Sequence, residues 1–176
     1  MIRIKRVFIG IKIDKSLYPK IDAWRENVSG FSGLRWIDNK NLHITLVPPW
    51  YEFDLERILK IMDGINFKNP ILMIFYNVGM GPSKKNPRLI WAEGKDNKIL
   101  EKLKVLLDKS LGMTEKRPFK LHLTLARFKK AEIKNLSKLK VAGKIDWKQE
   151  VNSICLYESK LKRSGAEYKI LHERKF

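Results

Sequence analysis

The sequence predicts a mixed fold of the α+β or α/β class. Short apolar runs that alternate with a period of two predict strands, and segments with apolar residues three or four apart predict three or four helices between them. Clusters of glycine, proline and asparagine separate these segments. A chain of 176 residues, 44% of them hydrophobic, can bury the core of one domain or of two small packed lobes. No linker divides it, so we expect residues 1–176 to form a single unit.

The first elements lead towards a short motif. Residues 3–13 alternate as a strand that we expect to be buried on one face. Ser16 is a candidate N-cap for the helix that follows. Residues 34–37 predict a short strand, and a turn then leads into a strand over 42–47. We expect the two prolines that follow to end this strand, because proline cannot donate a hydrogen bond to a sheet.

The middle of the chain predicts a helix, a hairpin and a second helix. Asp54 is a candidate N-cap for a helix that runs to about Ile65. Residues 70–80 form a long apolar run, and residues 89–92 return as its hairpin partner after a basic turn. The next segment has an apolar face at helical spacing and ends at Gly112.

The last part of the chain contains mostly strands. Residues 121–127 alternate as a strand, and residues 129–139 are polar with weak helical spacing. Residues 149–160 and 166–173 predict two further strands joined by a basic turn.

Composition limits the class of protein. The formal net charge is +18, from 37 basic and 19 acidic residues, which favours nucleic acid or a phosphorylated ligand over a neutral one. A solvated lysine-rich surface is the plainer alternative. The one cysteine, Cys155, rules out a disulfide within the chain and suits a reducing compartment. No stretch is long and apolar enough to cross a membrane, and the N-terminus reads as a strand, so we expect a cytoplasmic protein.

A short repeat stands out from this background. The chain has three histidines, and two of them, His43 and His122, lie in identical H-x-T-L frames 79 positions apart. In a strand, His43 and Thr45 share one face, as do His122 and Thr124, while the leucines face the other way. Two such strands side by side would bring two imidazoles and two hydroxyls around one small volume.

Two imidazoles in one site are suited to general acid–base catalysis. The unperturbed pKa of histidine is near neutrality, so one ring can accept a proton while the other donates one. The alternative is that each pair is an ordinary half-buried strand pair. Zinc is a further alternative, but the chain lacks the closely spaced ligand pairs typical of such sites. Arg127 would suit phosphate oxygens, but strict alternation places it on the face opposite His122 unless a twist or bulge intervenes.

The paired motifs, the second extended to His122-x-Thr124-x-x-Arg127, resemble the 2H phosphoesterase superfamily, and within it the RNA 2′,3′-cyclic phosphodiesterases, also called 2′-5′ RNA ligases. The resemblance covers most of the chain. It includes the approaches to both motifs, at residues 34–43 and 117–120, and the segment from Ser159 to Tyr168. It implies a two-lobed α+β fold in which two antiparallel sheets, related by a pseudo-two-fold axis, flank a central cleft, with helices outside.

The resemblance also implies a reaction. A terminal 2′,3′-cyclic phosphate of RNA would be opened to a 2′-phosphate, with His43 as general acid and His122 as general base. Thr45 and Thr124 would bind the phosphoryl oxygens, and Arg127 would add positive charge there. No cofactor or metal is implied.

The implied partners are RNA ends, including tRNA fragments, or cyclic nucleotides, and we expect a monomer. Phe8 and Trp36 are candidates for stacking on a terminal base. The segment after the first motif, Val47 to Tyr51, departs from the turn usual in this family, which leaves the substrate open. The alternatives are a module that binds RNA ends or nucleotides without turnover, and a basic RNA-associated structural protein.

Overall fold

The computed structural model describes residues 4–28, 33–66, 71–83, 85–115, 117–129, 141–162 and 165–176. These residues form nine strands and three α-helices, together with short 3₁₀ helices at Lys15–Leu17 and Asn39–Asn41. In chain order the elements are β1 (Lys5–Lys12), α1 (Tyr18–Glu26), β2 (Arg35–Trp36), β3 (His43–Glu52), α2 (Leu55–Asp63), β4 (Ile71–Gly81), β5 (Leu89–Gly94), α3 (Lys98–Leu111), β6 (His122–Arg127), β7 (Gly143–Val151), β8 (Ser153–Lys162) and β9 (Gly165–Lys175).

The strands form two antiparallel sheets, as the resemblance implies. One sheet has the order β3-β1-β8-β9, and the other has the order β2-β6-β5-β4-β7. The same unit occurs in both sheets: a strand, a helix and then a motif strand that pairs with the first strand, as β1-α1-β3 and as β5-α3-β6. A single large hydrophobic core takes buried side chains from both sheets and all three helices. The predicted α+β architecture is therefore confirmed.

The predicted ends of two helices are confirmed by their capping bonds. The Asp54 carboxylate accepts a hydrogen bond from the backbone N–H of Arg57 at the start of α2. Gly112 ends α3 in the left-handed region, at φ 70°, a conformation that glycine adopts without steric cost. The Asn97 side chain caps the other end of α3 by accepting from two backbone N–H groups.

Four expectations about the elements are wrong. Ser16 does not cap a helix with its side chain; it donates its backbone N–H to Asp14, which caps the preceding 3₁₀ turn. The strand β1 is buried on both faces, because Val7, Ile9 and Ile11 pack in the main core while Phe8 packs with Cys155 and Tyr157 on the other face. The single strand expected over 149–160 is the end of β7 and most of β8, which meet at Asn152. The prolines do not end the motif strand.

The strand β3 continues through Pro48 and Pro49 to Glu52. It is the edge strand of its sheet and pairs with β1 alone, so it needs few backbone donors on its outer side. Its register with β1 shifts around the prolines, where Ile9 lies opposite Val47 and Val7 opposite Trp50. A shifted register accommodates the missing N–H groups.

Residues 130–140, 163 and 164 lie outside the described residues, and with them most of the expected weak helix and the centre of the last basic turn. Within the described residues, no helix has the length and apolar character needed to cross a membrane.

Candidate active site

The two motif strands come from different sheets and lie against each other. β3 is the edge of one sheet, and β6 lies near the edge of the other, beside the two-residue strand β2. Residues of β3 and β6 approach within 8 Å between their Cα atoms. Both histidines and both threonines are half-buried, while the residues between them are buried. The two motif strands therefore lie side by side, which is the arrangement that acid–base catalysis by both histidines requires.

The first imidazole is held by a backbone carbonyl and an aromatic wall. Nδ1 of His43 lies 2.7 Å from the carbonyl oxygen of Asn41, so Nδ1 carries the proton and donates it. The ring centroid lies 4.7 Å from that of Phe8, 5.8 Å from that of Tyr157 and 4.9 Å from that of Tyr168. The orientation is fixed, and Nε2 is the nitrogen left for chemistry.

The second imidazole is held in the same manner. Nδ1 of His122 lies 2.8 Å from the carbonyl oxygen of Lys120, and the ring packs on Trp91 at a centroid distance of 4.7 Å. The Trp91 indole donates to Glu93, and the Lys120 ammonium lies over the same indole, 3.6 Å from the Glu93 carboxylate. This network fixes the ring that packs against His122, and Nε2 is again the nitrogen left for chemistry.

Burial favours the neutral form of both imidazoles in the free protein. Burial lowers the pKa of His43 to about 4; the hydrogen bond to Asn41 opposes this shift, and the charges of Arg127 and His122 add to it. Burial also lowers the pKa of His122, against the hydrogen bond to Lys120 and together with the charges of Lys120 and Arg127. The influence of a protonated His122 on His43 follows from the packing of the two motif strands against each other.

A bulge in the second motif strand, β6, explains the position of Arg127. In β6, Thr124 lies opposite Trp91 and Ala126 opposite Ile90, so Leu125 is an extra residue in that strand. The extra residue reverses the alternation after it, which brings Arg127 to the face of His122 and Thr124. Strict alternation is therefore wrong here, and the bulge is the reason.

The first motif carries the same bulge at the equivalent place. Thr45 lies opposite Gly10 and Val47 opposite Ile9, so Leu46 is the extra residue of β3. The residue after this bulge, in the place that Arg127 has in the second motif, is Pro48. The two halves therefore share a backbone geometry but differ in charge.

A cleft of about 450 Å³ opens beside the motifs, within the size range of small-ligand sites. Its walls include His43, Thr45 and Arg127, together with Phe8 and Tyr168. His122 and Thr124 are not among these walls; they are linked to the cleft by the contact of β6 with β3 and by the interaction between the histidines. Within the described residues, the hydroxyls of Thr45 and Thr124 have no hydrogen-bond partner, which leaves both available to a ligand.

The other sequence candidates have different surroundings. Phe8 is 1% exposed and stacks on Tyr157 at a centroid distance of 4.6 Å, and its ring also supports His43. Trp36 packs edge-on against Trp24 and lines a second, smaller cavity. Stacking of either ring on a base stays a prediction. His172 lies on the edge strand β9, where it bonds to Asp63.

Sequence reasoning missed the aromatic supports of the two imidazoles. Trp91 and Tyr157 are distant in sequence from the histidines that they contact, and no local pattern marks them. Tyr168 belongs to the segment that resembles the family, but a role beside His43 was not inferred. Within the described residues, no cluster of three or more His, Cys, Asp or Glu side chains is placed to hold a metal ion.

Comparison with known proteins points to one family. The family model for LigT-like phosphoesterases matches residues 11–91 and 96–168. An RNA 2′,3′-cyclic phosphodiesterase of Archaeoglobus fulgidus is 30% identical over an alignment of 178 residues that covers 94% of this chain and 97% of that protein. A protein of the same name from Methanocaldococcus jannaschii is 28% identical over an alignment of 173 residues that covers 96% of this chain and 99% of the relative.

Solved structures show the same fold. TT0787 of Thermus thermophilus superposes with a TM-score of 0.77 at 22% identity and covers 97% of both chains. Escherichia coli LigT in complex with 3′-AMP superposes with a TM-score of 0.78 at 20% identity and covers 98% of both chains.

Proposed function

The chain belongs to the LigT-like phosphoesterase family, and we propose that it is an RNA 2′,3′-cyclic phosphodiesterase that uses His43 and His122 as its acid and base. The observation that carries this proposal is the meeting of the two H-x-T strands from separate sheets, with both imidazoles oriented by backbone carbonyls. The names of the two archaeal relatives support the same substrate class.

In the proposed reaction, a water molecule attacks the phosphorus of the 2′,3′-cyclic phosphate. His122 takes a proton from the water as the new P–O bond forms, and the bond between phosphorus and the 3′ oxygen breaks. His43 donates a proton to that oxygen, so the products are a 3′-hydroxyl and a 2′-phosphate. One proton enters the protein and one leaves it, and proton transfer between the rings or through solvent restores the starting state.

The threonines and the arginine act on the phosphoryl oxygens. The hydroxyls of Thr45 and Thr124 donate hydrogen bonds to oxygens on which negative charge builds up in the transition state, and the guanidinium of Arg127 adds positive charge on the same side. Because the imidazoles carry both protons, the proposed reaction needs no metal ion.

The general acid must gain a proton before it can donate one. In the free protein the pKa of His43 is about 4, so at pH 7 the ring is neutral. An anionic phosphate beside the ring favours the protonated form and offsets the effect of Arg127. We therefore propose that substrate binding supplies the conditions for protonation of His43.

The same site run in reverse would join a 2′,3′-cyclic phosphate to a 5′-hydroxyl, forming a 2′-5′ linkage. Water at high concentration favours hydrolysis, so we propose ligation only as a side activity. It is tested by looking for 2′-5′ linked product from concentrated RNA halves, and its absence would remove the ligase activity without affecting the hydrolase.

We also propose that the chain acts as one domain and as a monomer in the cytoplasm. Two observations support a single domain: both sheets contribute to one hydrophobic core, and both contribute residues to the walls of the cleft. The buried, unpaired Cys155 suits a reducing compartment.

The proposal is tested with 2′,3′-cyclic AMP in the presence of EDTA, comparing the wild type with His43→Ala and His122→Ala and separating the 2′- and 3′-phosphate products. We expect the wild type to form the 2′-phosphate and both variants to lose at least about 100-fold in turnover, as expected for loss of a general acid or base.

A cyclic-phosphate-terminated oligonucleotide is the second substrate of this test. The enzyme assignment is overturned if neither substrate is turned over, and a binding module then accounts better for the site. Full activity in His43→Ala would overturn the two-histidine mechanism. His172→Ala is the matched control, because this histidine lies on the edge strand β9 and bonds to Asp63.

A further inference from the structure

A second cavity adjoins the catalytic cleft. Its volume is about 230 Å³, and it shares Arg35, Arg127, Lys162 and Tyr168 with the walls of the cleft. Lys40 and Trp36 line only the second cavity. A ligand whose reacting phosphate lies beside His43 can therefore extend into this cavity without leaving the protein surface.

Two arginines face each other at the boundary between the cavities. Arg35 of β2 is the direct register partner of Arg127 of β6, and both line both cavities. Like charges directly opposite each other on a sheet destabilise it. Neither guanidinium forms a hydrogen bond or an ion pair within the described residues. An arrangement of this kind becomes favourable when an anion lies between the two groups.

The second cavity as a whole carries a net positive charge. Its four cations are Arg35, Lys40, Arg127 and Lys162, and its anions are Asp38 and Glu167. Glu167 pairs with Lys162 at 2.7 Å, and the charge of Lys40 contributes to lowering the pKa of Glu167. Two net positive charges remain in the cavity after these acids are counted.

Two largely buried cations, Lys104 and Arg25, have partners within the protein. The ammonium of Lys104 lies 2.5 Å from Asp108, and the guanidinium of Arg25 bonds to Asp22, Asn39 and a backbone carbonyl. Arg35 and Arg127 are instead exposed to the two cavities. A ligand in these cavities can therefore supply the partner that the protein does not.

From these contacts we propose that Arg35 and Lys40, next to Arg127, form a second phosphate subsite that binds the phosphate on the 5′ side of the terminal nucleotide. The inference rests on the proposed function and names the part of the substrate that the second cavity recognises. Arginine suits this role because its planar guanidinium binds two phosphate oxygens at once.

This subsite makes the protein selective for ligands with a second phosphate. That phosphate is either the next phosphodiester of an RNA chain or a 5′-phosphate on a single nucleotide, and the two share the same chemistry. A nucleotide with only the cyclic phosphate would occupy the catalytic cleft and leave Arg35 and Lys40 without a partner.

The first test measures binding without turnover. Adenosine 2′-phosphate and adenosine 2′,5′-bisphosphate differ in the second phosphate alone, and their affinities are compared by calorimetry. We expect the bisphosphate to bind roughly tenfold more tightly to the wild type, as for hydrogen bonds to charged groups. In Arg35→Ala that advantage should fall to about twofold or less, and Arg35→Lys should keep an intermediate part of it.

Lys102→Ala is the matched control. It removes one positive charge from an exposed position in the middle of α3, and we expect it to preserve the advantage of the bisphosphate. The subsite is overturned if the wild type binds both nucleotides equally, or if Arg35→Ala retains the full preference for the bisphosphate. It is also overturned if that preference falls equally in Arg35→Ala and Lys102→Ala, because the effect would then be one of net charge.

The second test uses three substrates with the same reacting group: 2′,3′-cyclic AMP, its 5′-phosphorylated form and a dinucleotide that ends in a 2′,3′-cyclic phosphate. We expect a higher kcat/KM for the substrates with a second phosphate and a loss of that gain in Arg35→Ala. A higher kcat/KM for the dinucleotide alone means that the subsite recognises the phosphodiester of an RNA chain. A higher kcat/KM for both the dinucleotide and the 5′-phosphorylated nucleotide means that it binds any phosphate on the 5′ side.

These experiments distinguish a failure of the proposed hydrolase from a failure of the proposed second phosphate subsite. If none of the three substrates reacts while the bisphosphate keeps its Arg35-dependent advantage, the hydrolase is overturned and the subsite stands. If all three react at the same kcat/KM and the bisphosphate has no advantage, the subsite is overturned and the hydrolase stands.

Discussion

Arg127 influences both histidines through its charge. A positive group nearby disfavours the protonated imidazole, so Arg127 holds the pKa of His43 and of His122 below the values that burial alone would produce. We expect Arg127→Ala to raise the pKa of both rings, as followed by NMR titration of the imidazole C–H signals. We also expect kcat/KM for the cyclic phosphate to fall roughly 100-fold, as for other groups that stabilise transition-state charge.

The matched variant is Arg127→Lys. It keeps the charge but loses the planar pair of donors, so the histidine pKa values should stay near those of the wild type while kcat/KM still falls. If Arg127→Ala leaves both pKa values unchanged, Arg127 does not lie close enough to the histidines to act on the substrate between them.

At the scale of single elements, Gly10 controls how closely β3 approaches β1. It lies opposite Thr45, and a Cβ atom added to it would lie 2.6 Å from the carbonyl oxygen of Ile44. That oxygen belongs to the backbone and cannot rotate away. We expect Gly10→Ala to lower the free energy of unfolding by about 1–3 kcal/mol, as other overpacked sites do, and to lower turnover by displacing the first motif.

Gly143→Ala is the control for this prediction. Gly143 is also a strand glycine, but a Cβ atom added there lies more than 4 Å from every described residue other than its chain neighbours. We expect its unfolding free energy, from urea titration, to remain within about 0.5 kcal/mol of the wild type. A Gly10→Ala protein as stable as Gly143→Ala would mean that β3 has room to move.

Local patterns predict the elements whose causes are local. The helices α2 and α3 follow from Asp54, Gly112 and apolar spacing, because capping and amphipathicity act within a few residues. The continuation of β3 past its prolines depends on its edge position, and the bulge that turns Arg127 depends on its register with β5. Neither cause is visible along the strand itself.

The candidate site, too, is only partly predictable from local sequence. The H-x-T repeat alone predicts which histidines and threonines share a face. The packing of Trp91 and Tyr157 on these histidines, and the pairing of Arg35 with Arg127, depend on contacts between distant segments. Local periodicity contains no information about such contacts.

The buried histidines make the stability of the whole molecule dependent on pH. The pKa of His43 is about 4 in the folded protein and near 6.5 when unfolded, so the unfolded chain binds the extra proton first. Stability is fully present above pH 6.5 and falls as the pH drops towards 4. This histidine alone should cost about 2 kcal/mol of unfolding free energy between pH 7 and pH 5.

Urea unfolding at pH 7 and pH 5 tests this, with His43→Gln as the comparison. We expect the loss between the two pH values to be smaller in His43→Gln, with a remainder from His122, whose pKa is also lowered. The acidic groups Glu52 and Glu173 have lowered pKa values and contribute only at lower pH, because their ordinary pKa is 4.5. An equal loss in both proteins would contradict the low pKa of His43.

The equivalent bulges of β3 and β6 have a consequence for how a ligand lies in the cleft. The backbone after each motif turns in the same way, yet one turn presents Arg127 and the other presents Pro48. A symmetric frame would accept a phosphate equally well in either of two opposite orientations. With a cation on one side and an uncharged ring on the other, the two halves differ in charge beside the ligand, so we expect one of the two orientations of the phosphate to be favoured.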